Sequence, residues 1–394
     1  MRKKMKRKQN AFNQSSIKLP AFEPWISNND KKAVLQSLNQ TMLTLGPNLE
    51  KFELAFSKYT GSKYAIAVSN CTAALHLSLK AIGIGKGDEV IVPDLTFVAD
   101  ANAILATNAI PKIVDVEKDQ FFMSLKAIKR KTTSKTKAII PLHIYGEACK
   151  IDEIVDFANS NNIQVIEDCA HAVGTFYKGK HVGRYGIAGC FSFYPTKNIT
   201  TAEGGMVVTD SSTLAKKIKQ LRSHGMTKSL SERYSSKYPW LFDVKEAGYN
   251  YRLDEIRSAL GISQLRRINK INELRKKAAF YYTDGLKKIP EIITPVKKND
   301  KSHSYHLYTI RITKNYGLAR NQLFNILKRN GIRTTLYWLP LHKFTAYKKF
   351  IRNSKEFPNS SEIYGQILAL PLYPTITRRD QDLVIDCIQR HKKS

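Results

Sequence analysis

The sequence predicts an α/β protein: a mostly parallel sheet covered by helices on both faces, followed by a smaller α+β part at the C-terminal end. Two observations carry this. Between residues 65 and 194, short unbroken apolar runs alternate with helix-length segments, and a strand that is apolar throughout is one buried on both faces. Beyond residue 254 the pattern changes to one long helical stretch, an alternating strand and two further helices. A chain of 394 residues, 42% hydrophobic and 10% aromatic, is long enough for one large domain and a smaller one. The divisions expected are a basic, disordered tail over 1–16, a large domain with an N-terminal arm over 17–265, and a small domain over 266–394.

In chain order, the tail MRKKMKRKQN is almost wholly polar and basic. An extended arm opens at Leu19-Pro20-Ala21-Phe22. A helix follows over 29–40 with Asn29 as its N-cap, and Thr44-Leu45-Gly46-Pro47 is a turn. The segment 49–59 places Leu49, Phe52, Ala55 and Phe56 on one helical face. Strands are expected over 65–69, 89–93, 112–116, 138–144, 164–169, 190–194 and 206–209. Helices are expected over 72–82, 98–107, 151–159 and 212–223. Gly83-Ile84-Gly85-Lys86-Gly87 looks like a nucleotide loop, but it ends a helix and precedes a strand. The dinucleotide fingerprint needs the reverse order, so these glycines read as a helix end and a turn. Residues 227–247 show no clean period and read as a loop. A long helix over 254–277 then bridges to the second domain, which holds a strand over 306–313, a helix over 318–330, an extended stretch over 335–340 and a last helix over 379–391.

No run of about 18 apolar residues exists, so no membrane span is expected. The basic N-terminus is not followed by an apolar stretch and does not read as a secretory signal. The five cysteines, Cys71, Cys149, Cys169, Cys190 and Cys387, are odd in number and never in C-x-x-C spacing. That pattern predicts a cytoplasmic protein with reduced, buried thiols, and no Cys/His cluster suggests a metal. The net charge of +31 suits nucleic acid, a membrane surface or anionic small substrates. It is spread over the tail, 126–137, 266–277, 297–301 and 390–393, which favours a generally basic surface over one binding patch.

The stretch over 188–210, AGCFSFYPTKNITTAEGGMVVTD, carries the most informative residue. Lys197 lies just past a buried strand, where an interior site opens. A lysine amine does covalent chemistry through a Schiff base, and burial makes it nucleophilic by lowering its pKa. A loop lysine alone is ordinarily a surface residue, so its companions decide. Asp168 ends the strand before Cys169, and carboxylates at such strand ends point into the crevice where α/β proteins bind ligands; an N-cap role is the alternative. Ser69-Asn70-Cys71-Thr72-Ala73-Ala74-Leu75 leads from a strand end into a helix, whose first N–H groups can bind phosphate. A plain capped helix, with Asn70 or Thr72 as cap, reads equally well in isolation. Together these suggest a cofactor with a phosphate, a ring nitrogen that needs a carboxylate and a carbonyl that needs a lysine: pyridoxal 5′-phosphate.

From Leu19 onward the sequence resembles the DegT/DnrJ/EryC1/StrS family of sugar aminotransferases, in particular those making 4-amino-4,6-dideoxy nucleotide sugars, such as perosamine synthases. The likeness rests on 68–77, 83–102, 166–174, 191–209, 248–265, 337–342 and Leu370-Pro371-Leu372. It implies the fold-type I, aspartate aminotransferase-like architecture. It also implies roles: Lys197 as the Schiff-base lysine, Asp168 as the ring-nitrogen partner, Phe97 stacked on the cofactor ring and His171 beside it. Thr72 and Ala73 match the phosphate-binding turn, Ser192 supplies it a hydroxyl, and Asn250 matches an asparagine that reaches the phosphate from the other subunit, which makes a homodimer the expectation. The family usually has Gly where Cys71 stands, and a Cβ there opposes a positive φ. Relatives that are sugar 3-dehydratases carry His in place of the lysine, so Lys197 favours transamination.

The reaction implied moves an amino group from L-glutamate to a nucleotide-linked 4-keto-6-deoxy sugar by a ping-pong cycle. Arg222, Arg252 and Lys228 are candidates for its diphosphate, and His342 for shaping its pocket, though a packed loop histidine reads as well. The alternatives are the same enzyme acting at carbon 3 and, motivated by the charge, an inactive nucleic-acid- or polyanion-binding regulator on the same fold; Lys197, Asp168 and Asn250 argue against the latter.

Overall fold

The computed structural model describes residues 17–392 other than Ser229 and Arg352, so the expected tail over 1–16 lies outside the described residues. A sheet of seven strands organises the first two-thirds of the chain: β1 (Tyr64–Val68), β2 (Glu89–Pro93), β3 (Ile110–Val114), β4 (Thr136–Ile139), β5 (Gln164–Asp168), β8 (Ala188–Ser192) and β9 (Gly205–Thr209). A small hairpin, β6 (Phe176–Tyr177) with β7 (Lys180–His181), lies between β5 and β8 in sequence. The sheet order is β1-β9-β8-β5-β4-β2-β3. Pairs β2–β3, β2–β4, β4–β5 and β5–β8 are parallel; β9 alone runs against its neighbours β1 and β8. Strands β2, β8 and β9 are buried at every position, as their unbroken apolar runs require.

Helices cover both faces: α1 (Asn28–Leu38), α2 (Pro47–Thr60), α3 (Cys71–Ala81), α4 (Val98–Ala106), α5 (Leu125–Lys131), α6 (Ile151–Ser160) and α7 (Ser212–Arg222). One face buries Leu75, Leu77 and Leu79 of α3 with Ile218 and Leu221 of α7; the other buries Phe52 and Phe56 against Phe191 and Phe193. The first helix is capped by Ser27, not Asn29: Asp30 at the third position completes a capping box with the serine. The strand expected over 138–144 stops at Ile139. The expected loop over 227–247 contains a short helix, α8 (Leu230–Ser235).

The long helix expected over 254–277 is two helices, α9 (Glu255–Leu265) and α10 (Ile268–Leu286). The break has a tertiary cause. Arg267 turns out of the helical line to donate to Asp30 Oδ2 at 2.5 Å and to the Trp25 carbonyl at 3.2 Å, while Gln264 donates to the same two groups. After α10 comes an antiparallel sheet of β10 (Ile292–Ile293), β11 (Tyr308–Ile312) and β12 (Ile367–Leu370), with α11 (Arg320–Arg329), α12 (Pro358–Gln366) and α13 (Arg378–Arg390). This part has its own core around Tyr282, Tyr308 and Leu323, and Leu19 of the N-terminal arm belongs to it. The backbones of Lys18, Leu19 and Arg333 tie the arm there through Gly331 and Leu19 carbonyls. Among the described residues no helix is long and apolar enough to cross a membrane.

Candidate active site

The site is built where β5 and β8 end side by side. These strands pair in parallel with Asp168 opposite Cys190, so both chains leave the sheet at the same edge. The segment after β8 is tied into a closed loop: Phe193 N–H bonds Gly204 O at 2.9 Å, Thr201 N–H bonds Phe193 O at 2.9 Å, and Lys197 N–H bonds Tyr194 O at 2.9 Å. That loop holds Lys197 half-buried. Burial lowers its ammonium to about 8, against the opposing pull of the Asp168 charge. At pH 7 about a tenth of such an amine is neutral, against roughly one in 3,000 for an unperturbed lysine. The neutral amine is the form that attacks a carbonyl. Covalent capture of pyridoxal phosphate by the cofactor-free protein should therefore accelerate with pH and level off above about 8. Stopped-flow absorbance across pH 6 to 10 reads this; a rate still climbing beyond pH 10 would show an ordinary lysine.

Asp168 is buried and accepts from the Ala170 N–H at 2.8 Å. Burial raises its carboxyl, and the Ala170 bond and Lys197 pull it back only in part. Asp100, in the first turn of α4, is wholly buried and accepts from Thr96 Oγ1 at 2.6 Å. Sequence reading passed over Asp100, although an acid inside the apolar run Val98–Ala106 was a signal.

His171 is buried beside these groups. Its Nδ1 accepts from the Tyr145 N–H at 3.0 Å, which puts its proton on Nε2. That Nε2 has no hydrogen-bond partner among the described residues. The ring lies between Trp338 (centroids 5.0 Å apart) and His306 (4.2 Å). His306 in turn faces the Asn198 side chain, Nδ1 to Oδ1 3.2 Å, and Asn198 also donates to Asn272 at 2.7 Å and to Ser304 O at 3.0 Å. The residue after the lysine is thus anchored to α10 and to the segment before β11. Phe97, the N-cap residue of α4, is 49% exposed and lies 5.7 Å from Trp338, so an open ring face flanks the site.

The 69–75 turn has a capped-helix geometry. Asn70 caps α3 by accepting from the Ala73 N–H at 2.8 Å, so Ala73 contributes no free donor while its neighbour Thr72 is exposed. The first-turn N–H of Cys71 and the N–H and hydroxyl of Thr72 remain for an anion. Cys71 opens the helix with an ordinary negative φ, so the strain expected of a Cβ at that position does not arise. The tight spot is Gly205, opposite both Val68 and Ser192: a Cβ there would lie 2.5 Å from the Asn70 carbonyl. Ser192 is buried at the end of β8, with its Oγ 3.4 Å from the Tyr194 N–H. Asn250 is exposed, in a segment held by Tyr249 N–H to Leu221 O and by Ser69 N–H to Tyr251 O, which places it beside this turn.

The expected diphosphate and pocket residues separate. Arg222 is buried, with Nη1 2.6 Å from Glu53 and 2.7 Å from Ala67 O; its charge is neutralised inside and is not offered at a site mouth. Arg252 and Lys228 are half-buried. His342 is buried and bonds through Nδ1 to Asp94 at 2.6 Å and through Nε2 to Ser361 at 3.2 Å. With Ser360 on the same carboxylate, it clamps the 341–361 segment to the end of β2, so both ring nitrogens are engaged in packing. The buried trio His143, Glu167 and Cys169 has metal-like proximity, but Glu167 already accepts from His143 and from the N–H groups of Gly183, Tyr185 and Gly186.

A family model described as the DegT/DnrJ/EryC1/StrS aminotransferase family matches residues 24–389. The chain belongs to that family. It is 38% identical over 374 residues to the spore coat polysaccharide biosynthesis protein SpsC of Bacillus subtilis, covering 94% of this chain and 96% of the relative. Its fold is similar to that of Helicobacter pylori PseC, an aminotransferase involved in the biosynthesis of pseudoaminic acid, with TM-score 0.87, 29% identity, and coverage of 95% and 99% of the two chains. It is similar also to NtdA of Bacillus subtilis, solved with bound cofactor PMP, with TM-score 0.82, 28% identity, and coverage of 94% and 83%. The chain is therefore a pyridoxal-phosphate aminotransferase of fold type I.

The residues fit that cofactor. Lys197 supplies a buried amine of lowered pKa, and Asp168 a buried carboxyl. The unpartnered Nε2–H of His171 needs an acceptor oxygen, and the first turn of α3 offers N–H groups to a phosphate. When bound, pyridoxal phosphate supplies the electron sink that lets an amino acid lose its α-proton.

Proposed function

We propose that this aminotransferase moves the amino group of an amino acid, L-glutamate, to the keto carbon of a nucleotide-linked 4-keto-6-deoxy sugar, giving an amino sugar for surface glycan or glycoconjugate synthesis. The observation that carries the sugar reading is the aromatic flank of the site. Phe97 and Tyr194 are 49% and 47% exposed, and half-buried Trp338 rests against Phe97 and His171. Open aromatic faces suit a pyridine ring and the apolar face of a deoxy sugar. The names of SpsC and PseC, which place them in polysaccharide and pseudoaminic acid biosynthesis, support the same class.

In this reading Lys197 would hold the cofactor and, as a free amine, would carry the proton from the donor's α-carbon. Asp168 keeps the ring-nitrogen proton in place, and Phe97 and His171 orient the ring. The keto acid leaves, the keto sugar enters, and the same groups run the transfer in reverse. Arg252 and Lys228 take the diphosphate, while Arg222 remains a structural pair of Glu53. The working form is a cytoplasmic homodimer in which exposed Asn250 reaches the phosphate of the second subunit's cofactor. Its two domains divide at 265/266, where α9 and α10 part.

Incubating the enzyme with glutamate and a panel of GDP-, UDP- and dTDP-linked 3-keto and 4-keto sugars, read by mass spectrometry, tests this. A product in which the keto oxygen is replaced by an amino group and a hydrogen, heavier by the difference between NH3 and O, is expected with a 4-keto-6-deoxy member. Amination only of 3-keto sugars would move the reaction to carbon 3, and no aminated nucleotide sugar at all would overturn the proposal.

A further inference from the structure

Asp100 and Asp168 are two carboxyls in hydrogen-bond contact, both buried, one on the first turn of α4 and one at the end of β5. Two such groups cannot both be ionised, so one carries a proton. The surroundings decide which. Asp168 has the donors an anion needs: the Ala170 N–H at 2.8 Å and the nearby Lys197 charge. Among the described residues Asp100 receives only the Thr96 hydroxyl, at 2.6 Å on Oδ2, and its Oδ1 meets no donor. An unpartnered carboxyl oxygen, wholly buried beside a carboxylate, is where the shared proton belongs.

We propose that Asp100 is a positioning residue for the ring-nitrogen partner: it stays neutral, anchored by Thr96, and donates its O–H to Asp168, turning and holding that carboxylate toward the cofactor's pyridine nitrogen. Burial, and then the Asp168 charge, keep the Asp100 carboxyl well above the usual carboxylate range. Among the described residues the groups that sense Asp100 include the Cys71 and Cys190 thiols and the Tyr347 phenol, each raised first by its own burial. None of them is a cation that would draw a negative charge onto Asp100. The effect is specific to one atom of the cofactor, and this separates it from mere packing.

The test compares binding of pyridoxal phosphate with that of its 1-deaza analogue, in which carbon replaces the ring nitrogen. Asp100→Leu should raise the Kd for pyridoxal phosphate about tenfold, the worth of one hydrogen bond to a charged group, and leave the Kd for the analogue within about twofold. Asp100→Asn, whose amide N–H can still donate to Asp168, should restore pyridoxal phosphate binding to within about threefold. Thermal melts confirm folding, and Asp100→Ala serves if the leucine variant does not melt cooperatively. Equal weakening for both ligands would reduce Asp100 to a packing residue. An unchanged Kd for pyridoxal phosphate in a normally melting variant would overturn the proposal outright.

Discussion

Replacing Lys197 with alanine will abolish transamination, lowering kcat by about four orders of magnitude or more, because one side chain performs two tasks. It is the covalent anchor of the cofactor and the carrier of the transferred proton. Both depend on a neutral amine, which burial provides by lowering the ammonium to about 8. Arginine will not substitute, since a guanidinium stays charged and cannot attack a carbonyl. Histidine could carry a proton but could not anchor the cofactor. The measurement is steady-state and single-turnover kinetics, with mass spectrometry after borohydride reduction to look for a cofactor adduct on residue 197. The wild type should gain the adduct and the variant should not. The fold should survive the change, because the loop that carries Lys197 is closed by backbone bonds from Phe193, Lys197 and Thr201 that do not involve its side chain. Turnover above about 1% of wild type, or an adduct on another lysine, would show that the chemistry is housed elsewhere.

The placement of Lys197 and Asp168 was legible in the sequence because Asp168 ends a strand and Lys197 lies in the loop just past one, each strand an unmistakable apolar run, and strand ends are where α/β sheets open. The strand Glu89–Pro93 was legible to the residue for the same reason. What tertiary structure decides was not legible. Arg222 reads in sequence as an available cation; only the fold brings Glu53 within 2.6 Å and removes it from the site. His342 reads in sequence equally as a pocket residue or a packed loop histidine, and only Asp94, 2.6 Å from its Nδ1, shows it packed. Trp338 and His306 flank His171 from distant parts of the chain, and no local spacing announces them. The segment from 254 to 277 has continuous helical periodicity, and its break depends on Asp30 and Trp25, far upstream, capturing Arg267. Asp100 was legible in principle, as a lone acid in an apolar helix, but its meaning comes from the neighbouring strand.

Glu167→Ala will cost the fold about 3–5 kcal/mol, the range for removing one partner of a buried charged network. Alternation along β5 sends Glu167 and Asp168 to opposite faces, so this residue supports the site from behind. Its carboxylate is wholly buried and accepts from His143 Nε2 at 2.9 Å and from the N–H groups of Gly183 at 2.7 Å, Tyr185 at 2.6 Å and Gly186 at 2.8 Å. Alanine leaves these four donors without an acceptor. The 183–186 segment cannot shift to find water, because Gly186 packs so closely on the Val165 carbonyl that even a Cβ would lie 2.2 Å from it. Burial alone would raise the Glu167 carboxyl, yet the His143 bond and the backbone donors outweigh it and hold it below the usual range. A carboxyl lowered on folding contributes stability that is present above its unfolded value and lost as pH falls through the folded one. The wild type should therefore lose stability in acid through this group, and Glu167→Ala, lacking it, should show a flatter acid limb from a lower starting point. Urea denaturation from pH 7 down to about 2 measures both. A loss below about 1 kcal/mol at pH 7, or acid limbs of equal slope, would mean that the network behind Asp168 does not hold the strand end as its geometry says.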